Sequence, residues 1–145
     1  MALKQGKEVA AGAPVPSLDE ANEPYAVTGN YTVKSTDALG DIVELGGIPS
    51  NATVIDLIIH HDGIGGTVDA GILSGDYAKK DSTRTLTQDF GAALSTAAAG
   101  IVRLAKNTNA LTPTAVEQGW GIKFLAAPTA GKVIRASLVV IPMGF

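Results

Sequence analysis

Chemistry in this chain would have to come from two histidines, a series of aspartates and a glycine-rich turn. His60 and His61 are its only histidines. They are adjacent in a stretch of strand-like pattern, so their rings point to opposite faces and one metal ion cannot easily take both. Asp62, Asp69 and Asp76 recur every seven residues near glycine turns. Oxygen clusters in such loops can hold calcium. The EF-hand spacing and any Gly-Gly-x-Gly-x-Asp repeat are missing, and turn aspartates account for the pattern. Gly63-Ile64-Gly65-Gly66 lacks the Lys-Ser/Thr ending and the helix that a phosphate cradle needs. Ser74, in Leu73-Ser74-Gly75-Asp76, is not in a nucleophile elbow. Glu44, Glu117 and the aspartates form no acid/base pair at a recognisable spacing. The residues therefore point away from an enzyme, with no cofactor and no metal expected.

Composition narrows the class further. The 145 residues are 46% apolar but only 5% aromatic, with 17 glycines, 17% charged residues and a net charge of −3. One domain of this length removes about 70% of its unfolded surface from water, enough for a single core. The charged fraction is below the roughly 25% usual in soluble domains, so neutral residues cover much of the surface. Such a surface loses little ion hydration when it docks on another protein. The basic residues are scattered, and no nucleic-acid partner is expected. No window is apolar for about 18 residues, so no membrane partner is expected either. The opening residues lack the apolar core of a signal peptide. The chain has no cysteine, which excludes disulfides and thiolate sites and fits synthesis in a cytoplasm.

The elements that would position any site are strands. Residues 1–24, with Pro14, Pro16 and Pro24 and no apolar period, read as an extended N-terminal arm, and 25–145 as the folded domain. From Tyr25 the period is two, with Val27, Tyr31 and Val33 on one face. Asp41–Leu45 is a short strand before a turn-rich cluster at 46–51. In Thr53–His61, Ile55, Leu57 and Ile59 are assigned to the core, and Val54, Asp56, Ile58 and His60 to the opposite face. The turn at Asp62–Gly66 and the strand Thr67–Leu73 complete a β-hairpin with it. Thr83–Thr87 reads as an edge strand and Gly91–Ala99 as a short helix or a loop. Strands follow at Gly100–Ala105 and near Leu111–Val116. Trp120, Ile122 and Phe124 form an inward stripe.

In the last strand, Lys132–Ile141, the residues Ile134, Ala136, Leu138 and Val140 face inward. Its outer face is too apolar for open water, so a second sheet or a subunit must cover it. Seven to nine strands at this spacing give an all-β fold, an antiparallel two-sheet sandwich of jelly-roll-like arrangement, with an immunoglobulin-like topology as the alternative.

Three segments resemble small virion proteins of tailed bacteriophages, especially head decoration (cement) proteins. They are Gly47-Ile48-Pro49-Ser50-Asn51-Ala52-Thr53-Val54-Ile55-Asp56, the run from His61 to Gly71, and Ala126-Ala127-Pro128-Thr129-Ala130-Gly131-Lys132-Val133. The resemblance implies a protein made in the host cytoplasm and added to the capsid exterior. Its implied partners are the major capsid protein and further copies of itself, as a homotrimer or homodimer. A receptor- or glycan-binding head-fibre or tail module is the alternative. Candidate contact residues come from the arm (Leu3, Lys4, Val9, Val15, Leu18), its junction with the domain (Tyr25) and the nominally outer strand faces (Val54, Ile58, Val139, Ile141).

Overall fold

The computed structural model describes residues 2–12, 24–107 and 116–142, with the backbone alone for Tyr25 and Pro142. Val15 and Leu18, the Tyr25 side chain and nearly all of the expected strand at Leu111–Val116 lie outside this set. The elements are β1 (Leu3–Gln5), α1 (Lys7–Ala10), β2 (Tyr25–Thr32), β3 (Ile42–Ile48), β4 (Ala52–His61), β5 (Thr67–Ile72), β6 (Gly91–Ser95), β7 (Gly100–Arg103), β8 (Gln118–Phe124) and β9 (Val133–Pro142). One sheet runs β1-β3-β8-β5-β6 and the other β2-β9-β4-β7. Without β1, these are the two four-stranded sheets of a jelly roll, and the chain passes between sheets at almost every connection. The expected all-β two-sheet sandwich is what forms.

The core lies between the sheets. Val27, Tyr31 and Val33 enter it from β2 and its continuation, and Trp120, Ile122 and Phe124 from β8. Ile134, Ala136, Leu138 and Val140 enter from β9 and are fully buried. Each of these sets keeps strict alternation, so the pleat sends all its members to one side.

β4 breaks its alternation. The register with β9 slips between Val54 and Asp56, a β-bulge that leaves Ile55 as the extra residue. One extra residue reverses every side chain beyond it. Ala52 and Val54 therefore point inward before the bulge, and Leu57 and Ile59 after it, while Ile55 is 42% exposed. Val54, expected on the outer face, is a core residue, and Ile55, expected in the core, belongs outside.

Other expectations shift for topological reasons. β4 and β5 belong to different sheets, so the turn at Asp62–Gly66 is a crossing between layers and not a hairpin. β3 continues through Gly46 and Gly47 to Ile48, where a turn was expected. Gly46 is needed because Trp120 packs on it: a Cβ there would come within 2.8 Å of the indole nitrogen. Gly91–Ser95 is a strand, neither a helix nor a loop. Thr83–Thr87 contributes only the single bridge between Leu73 and Leu86.

Within the segment read as an extended arm, residues 2–12 dock on the domain. β1 adds parallel to the edge of β3, with Ile42 N–H donating to Ala2 O at 3.0 Å and Gly6 N–H to Glu44 O at 2.6 Å. Val9, on α1, is buried. It is a correction to the contact candidates, because a residue holding the segment to its own domain is not free to touch another. The Glu8 carboxylate accepts from the Asn30 N–H at 2.8 Å and from the Asn30 side-chain amide. Burial raises its pKa, but these bonds outweigh burial and hold it below the usual range. The contribution is therefore complete at neutral pH and is lost as pH falls through the carboxylate range. A Glu8→Ala variant is expected to exchange the Gly6 amide with solvent several-fold faster at neutral pH, measured by hydrogen–deuterium exchange. Unchanged protection would mean that Val9 and the β1 ladder alone hold the segment.

Candidate interaction surface

The two sheets differ in what covers their outer faces. Residues 74–90 fold back over the five-stranded sheet. Thr87 N–H donates to Ile72 O at 3.0 Å, and Ile72 N–H donates to the Thr87 hydroxyl oxygen at 3.0 Å. At the end of this segment Phe90 is fully buried and joins the core cluster between the sheets. Arg84 anchors it. Its Nη2 and Nη1 reach the two Glu44 carboxylate oxygens at 2.7 and 3.2 Å, Nε donates to Ser74 O at 2.6 Å, and Nη1 also donates to Lys79 O at 2.8 Å. Glu44 is fully buried in mid-strand and also accepts from Ala78 N–H at 3.2 Å. Gly119 makes room for it: a Cβ there would lie 1.8 Å from Glu44 Oε2. Sequence reasoning treated Glu44 only as a failed acid/base candidate and did not single out Arg84.

Among the described residues, nothing covers the four-stranded sheet. Its outer face carries Ala26 and Thr28 from β2, Val133, Ser137, Val139 and Ile141 from β9, Ile55 and Ile58 from β4, and Ile101 from β7. Ile101 is 59% and Val133 43% exposed. The expected contact residues Ile58, Val139 and Ile141 are half-buried here, joined by Val133, which the pattern of the last strand puts on the same face, and by Ile55 and Ile101, which were not foreseen there. The polar groups on this face are paired along the sheet. Thr28 and Ser137 share a hydroxyl contact at 3.1 Å, Arg135 Nε donates to Asn30 Oδ1 at 2.7 Å, and Arg103 is ion-paired with Asp56. Leu3 and Lys4 sit apart on β1, both half-buried, with Lys4 Nζ 3.5 Å from Asp37 Oδ1.

A cleft of about 530 Å³ closes one end of this face, lined by His60, His61, Asp62, Gly100, Ile101, Val133 and Arg135. The histidines point to opposite faces as expected, with His60 exposed and His61 buried. His61 Nδ1 accepts the Gly63 N–H at 3.2 Å, so its neutral form fits the site. Burial lowers its pKa, against a smaller opposing effect of Asp62. The unfolded chain thus binds this proton more readily than the folded one, and His61 costs stability as pH falls below about 6.5. His61→Gln is expected to flatten the loss of melting temperature between pH 7 and 5.5. A wild-type slope in the variant would show that other groups set the acid response.

Asp69 accepts from the Ala93 N–H at 2.9 Å and from the Gln88 side-chain amide at 3.1 Å, and Asp62 from the Val133 N–H at 3.0 Å. Both are turn and edge anchors. No three metal-ligating side chains converge among the described residues. Trp120 is 1% exposed and offers no saccharide platform.

No family model and no curated protein match the chain. Solved structures do. A chain in the capsid of Ralstonia phage GP4 shares 30% identity at a TM-score of 0.88, covering 99% of this chain and 100% of that one. The capsid asymmetric unit of cyanophage Pam1 matches at 15% identity and TM-score 0.59, over 89% of this chain and 91% of that one. The acid-stable capsid of Helicobacter pylori bacteriophage KHP30 matches at 12% identity and TM-score 0.53, over 84% and 90%. The last two likenesses concern the fold. The GP4 match extends over both chains at substantial identity, and the chain belongs to this family of bacteriophage capsid proteins, as a structural component of the virion.

Proposed function

We propose that the protein is a capsid decoration (cement) protein that binds the outside of the mature head and stabilises it through contacts with the major capsid protein. The observation that carries this reading is the one-sidedness of the sandwich. Its five-stranded sheet is sealed by the protein's own 74–90 segment, while the four-stranded sheet leaves Ile55, Ile58, Ile101, Val133, Val139 and Ile141 partly open to water. A subunit that builds a closed shell must meet neighbours around its whole perimeter. A protein added to a finished shell needs one docking face and a surface that keeps it soluble elsewhere. Self-association into a dimer or trimer would multiply modest contacts into high avidity.

The test is co-sedimentation of the purified protein with expanded and unexpanded capsid shells from the same phage, with light scattering on the free protein. Saturable binding to expanded shells, at a copy number equal to a set of symmetry positions, is the expected result. Absence of binding to either shell would end the decoration reading.

A further inference from the structure

We propose that the free edge of β1 is a strand-addition site for an extended, acidic segment of a neighbouring capsid chain. This rests on the capsid-docking reading and names the chemistry of one partner element.

Among the described residues, β1 is the outermost strand of its sheet, with β3 as its one partner. A parallel ladder uses the peptide groups of alternate residues. Those facing β3 belong to Ala2, Lys4 and Gly6, as the bonds from Ile42 N–H to Ala2 O and from Gly6 N–H to Glu44 O mark at its two ends. The peptide groups of Leu3 and Gln5 face away from the sheet. Beside them lies a groove of about 390 Å³ lined by Leu3, Lys4, Gln5, Ala10, Lys34, Lys80, Asp81 and Ser82. An extended peptide laid along this edge would meet two residues' worth of donors and acceptors that no described residue uses, the requirement for strand addition.

Charge selects the occupant. Three lysines line the groove of a chain whose net charge is −3, and Lys34 and Lys80 are the two that no described carboxylate pairs, Lys4 being ion-paired with Asp37. The one lining carboxylate, Asp81, is spent on its own turn, accepting from the Thr83 N–H at 2.9 Å and hydroxyl at 2.6 Å. Lys4 and Lys34 sit on the Asp37 side of β1: Asp37 lies 3.5 Å from Lys4 Nζ and accepts the Lys34 N–H at 2.8 Å. Lys80 follows Ala78, whose carbonyl accepts the Gln5 side-chain amide at 3.0 Å on the other side. Carboxylates on either pleat face of an incoming strand would therefore find an ammonium group. A second copy's β1 would instead set lysines against lysines, a device that keeps like edges apart.

The experiment uses the free protein and a fluorescein-labelled peptide of alternating Glu and Val, followed by fluorescence anisotropy. Saturable binding is expected. It should weaken with salt and fall roughly tenfold or more in the Lys34→Glu/Lys80→Glu variant, whose melting curve confirms folding. Two control peptides are expected not to bind: one with backbone N-methylation at alternate residues, and one with Lys in place of Glu. No binding of the Glu-Val peptide, equal binding of the N-methylated peptide, or full binding by the double variant would each overturn the proposal. Because no shell is present, failure here is distinct from failure of capsid docking.

Discussion

An Arg84→Met variant is expected to lose about 3–5 kcal/mol of stability, because it leaves the fully buried Glu44 carboxylate without its counter-charge. For a chain of this length that lowers the melting temperature by roughly 10–15 °C. Several costs coincide in one residue. Glu44 keeps a single N–H, from Ala78, in place of two guanidinium bonds. The carbonyls of Ser74 and Lys79 lose the donor that ties the two ends of the turn together. The cover over the five-stranded sheet then loosens, and amides between 74 and 90 exchange faster than those of β9. The informative companion is Glu44→Gln/Arg84→Met, which removes both charges and keeps an acceptor for Ala78. Most of the lost stability should return in urea unfolding, since the penalty comes from the lone buried charge more than from loss of the pair. A double variant as unstable as the single one would assign the effect to packing at Gly119 and residues 74–90.

The second large effect is on docking and leaves the fold intact. Ile58→Glu combined with Val139→Glu places two carboxylates in the middle of the open face. Both positions are half-buried and neither lies in the core between the sheets, so the variant is expected to fold, at some cost in stability because the new Glu at 139 lies opposite Asp56, and its melting curve is the check. Capsid affinity should fall at least 100-fold. Each position loses the part of its apolar burial that docking adds, a fraction of the roughly 1.5–3 kcal/mol of a whole side chain, and gains a carboxylate that is costly to desolvate, and multivalency compounds both losses. Thr85→Glu, on the sealed side, is the control and should bind shells normally. Normal shell occupancy by the double variant, measured by co-sedimentation, would mean that the four-stranded sheet faces solvent on the virion.

Much of the fold was legible because a strand writes its orientation into its own residues. Ile134, Ala136, Leu138 and Val140 alternate without interruption, and so do Trp120, Ile122 and Phe124. In both cases the residues read as inward are buried. The excess apolarity of the opposite face of β9 was equally plain, and it marks the surface proposed for docking. The fold class, the lack of a recognisable catalytic constellation and the resemblance to phage virion proteins were thus properties of the sequence alone.

What tertiary structure decided has in each case a long-range cause. The bulge at Ile55 reverses the facing of β4, yet nothing in Thr53-Val54-Ile55-Asp56 distinguishes a bulged strand from a regular one. The bulge shows only in the pairing of β4 with β9, where the register shifts between Val54 and Asp56. The turn after His61 has hairpin composition, but the jelly-roll path sends β5 to the other layer. Val9 is the one large aliphatic residue between Leu3 and Val15, and it is buried because β1 finds the edge of β3. Glu44 and Arg84 are 40 residues apart and each is an ordinary charged residue until the sheet and its cover bring them to 2.7 Å. Local pattern specifies which side of a strand is apolar. Which strand lies beside it, in what register and under what cover, is set by closing one core from all the strands together.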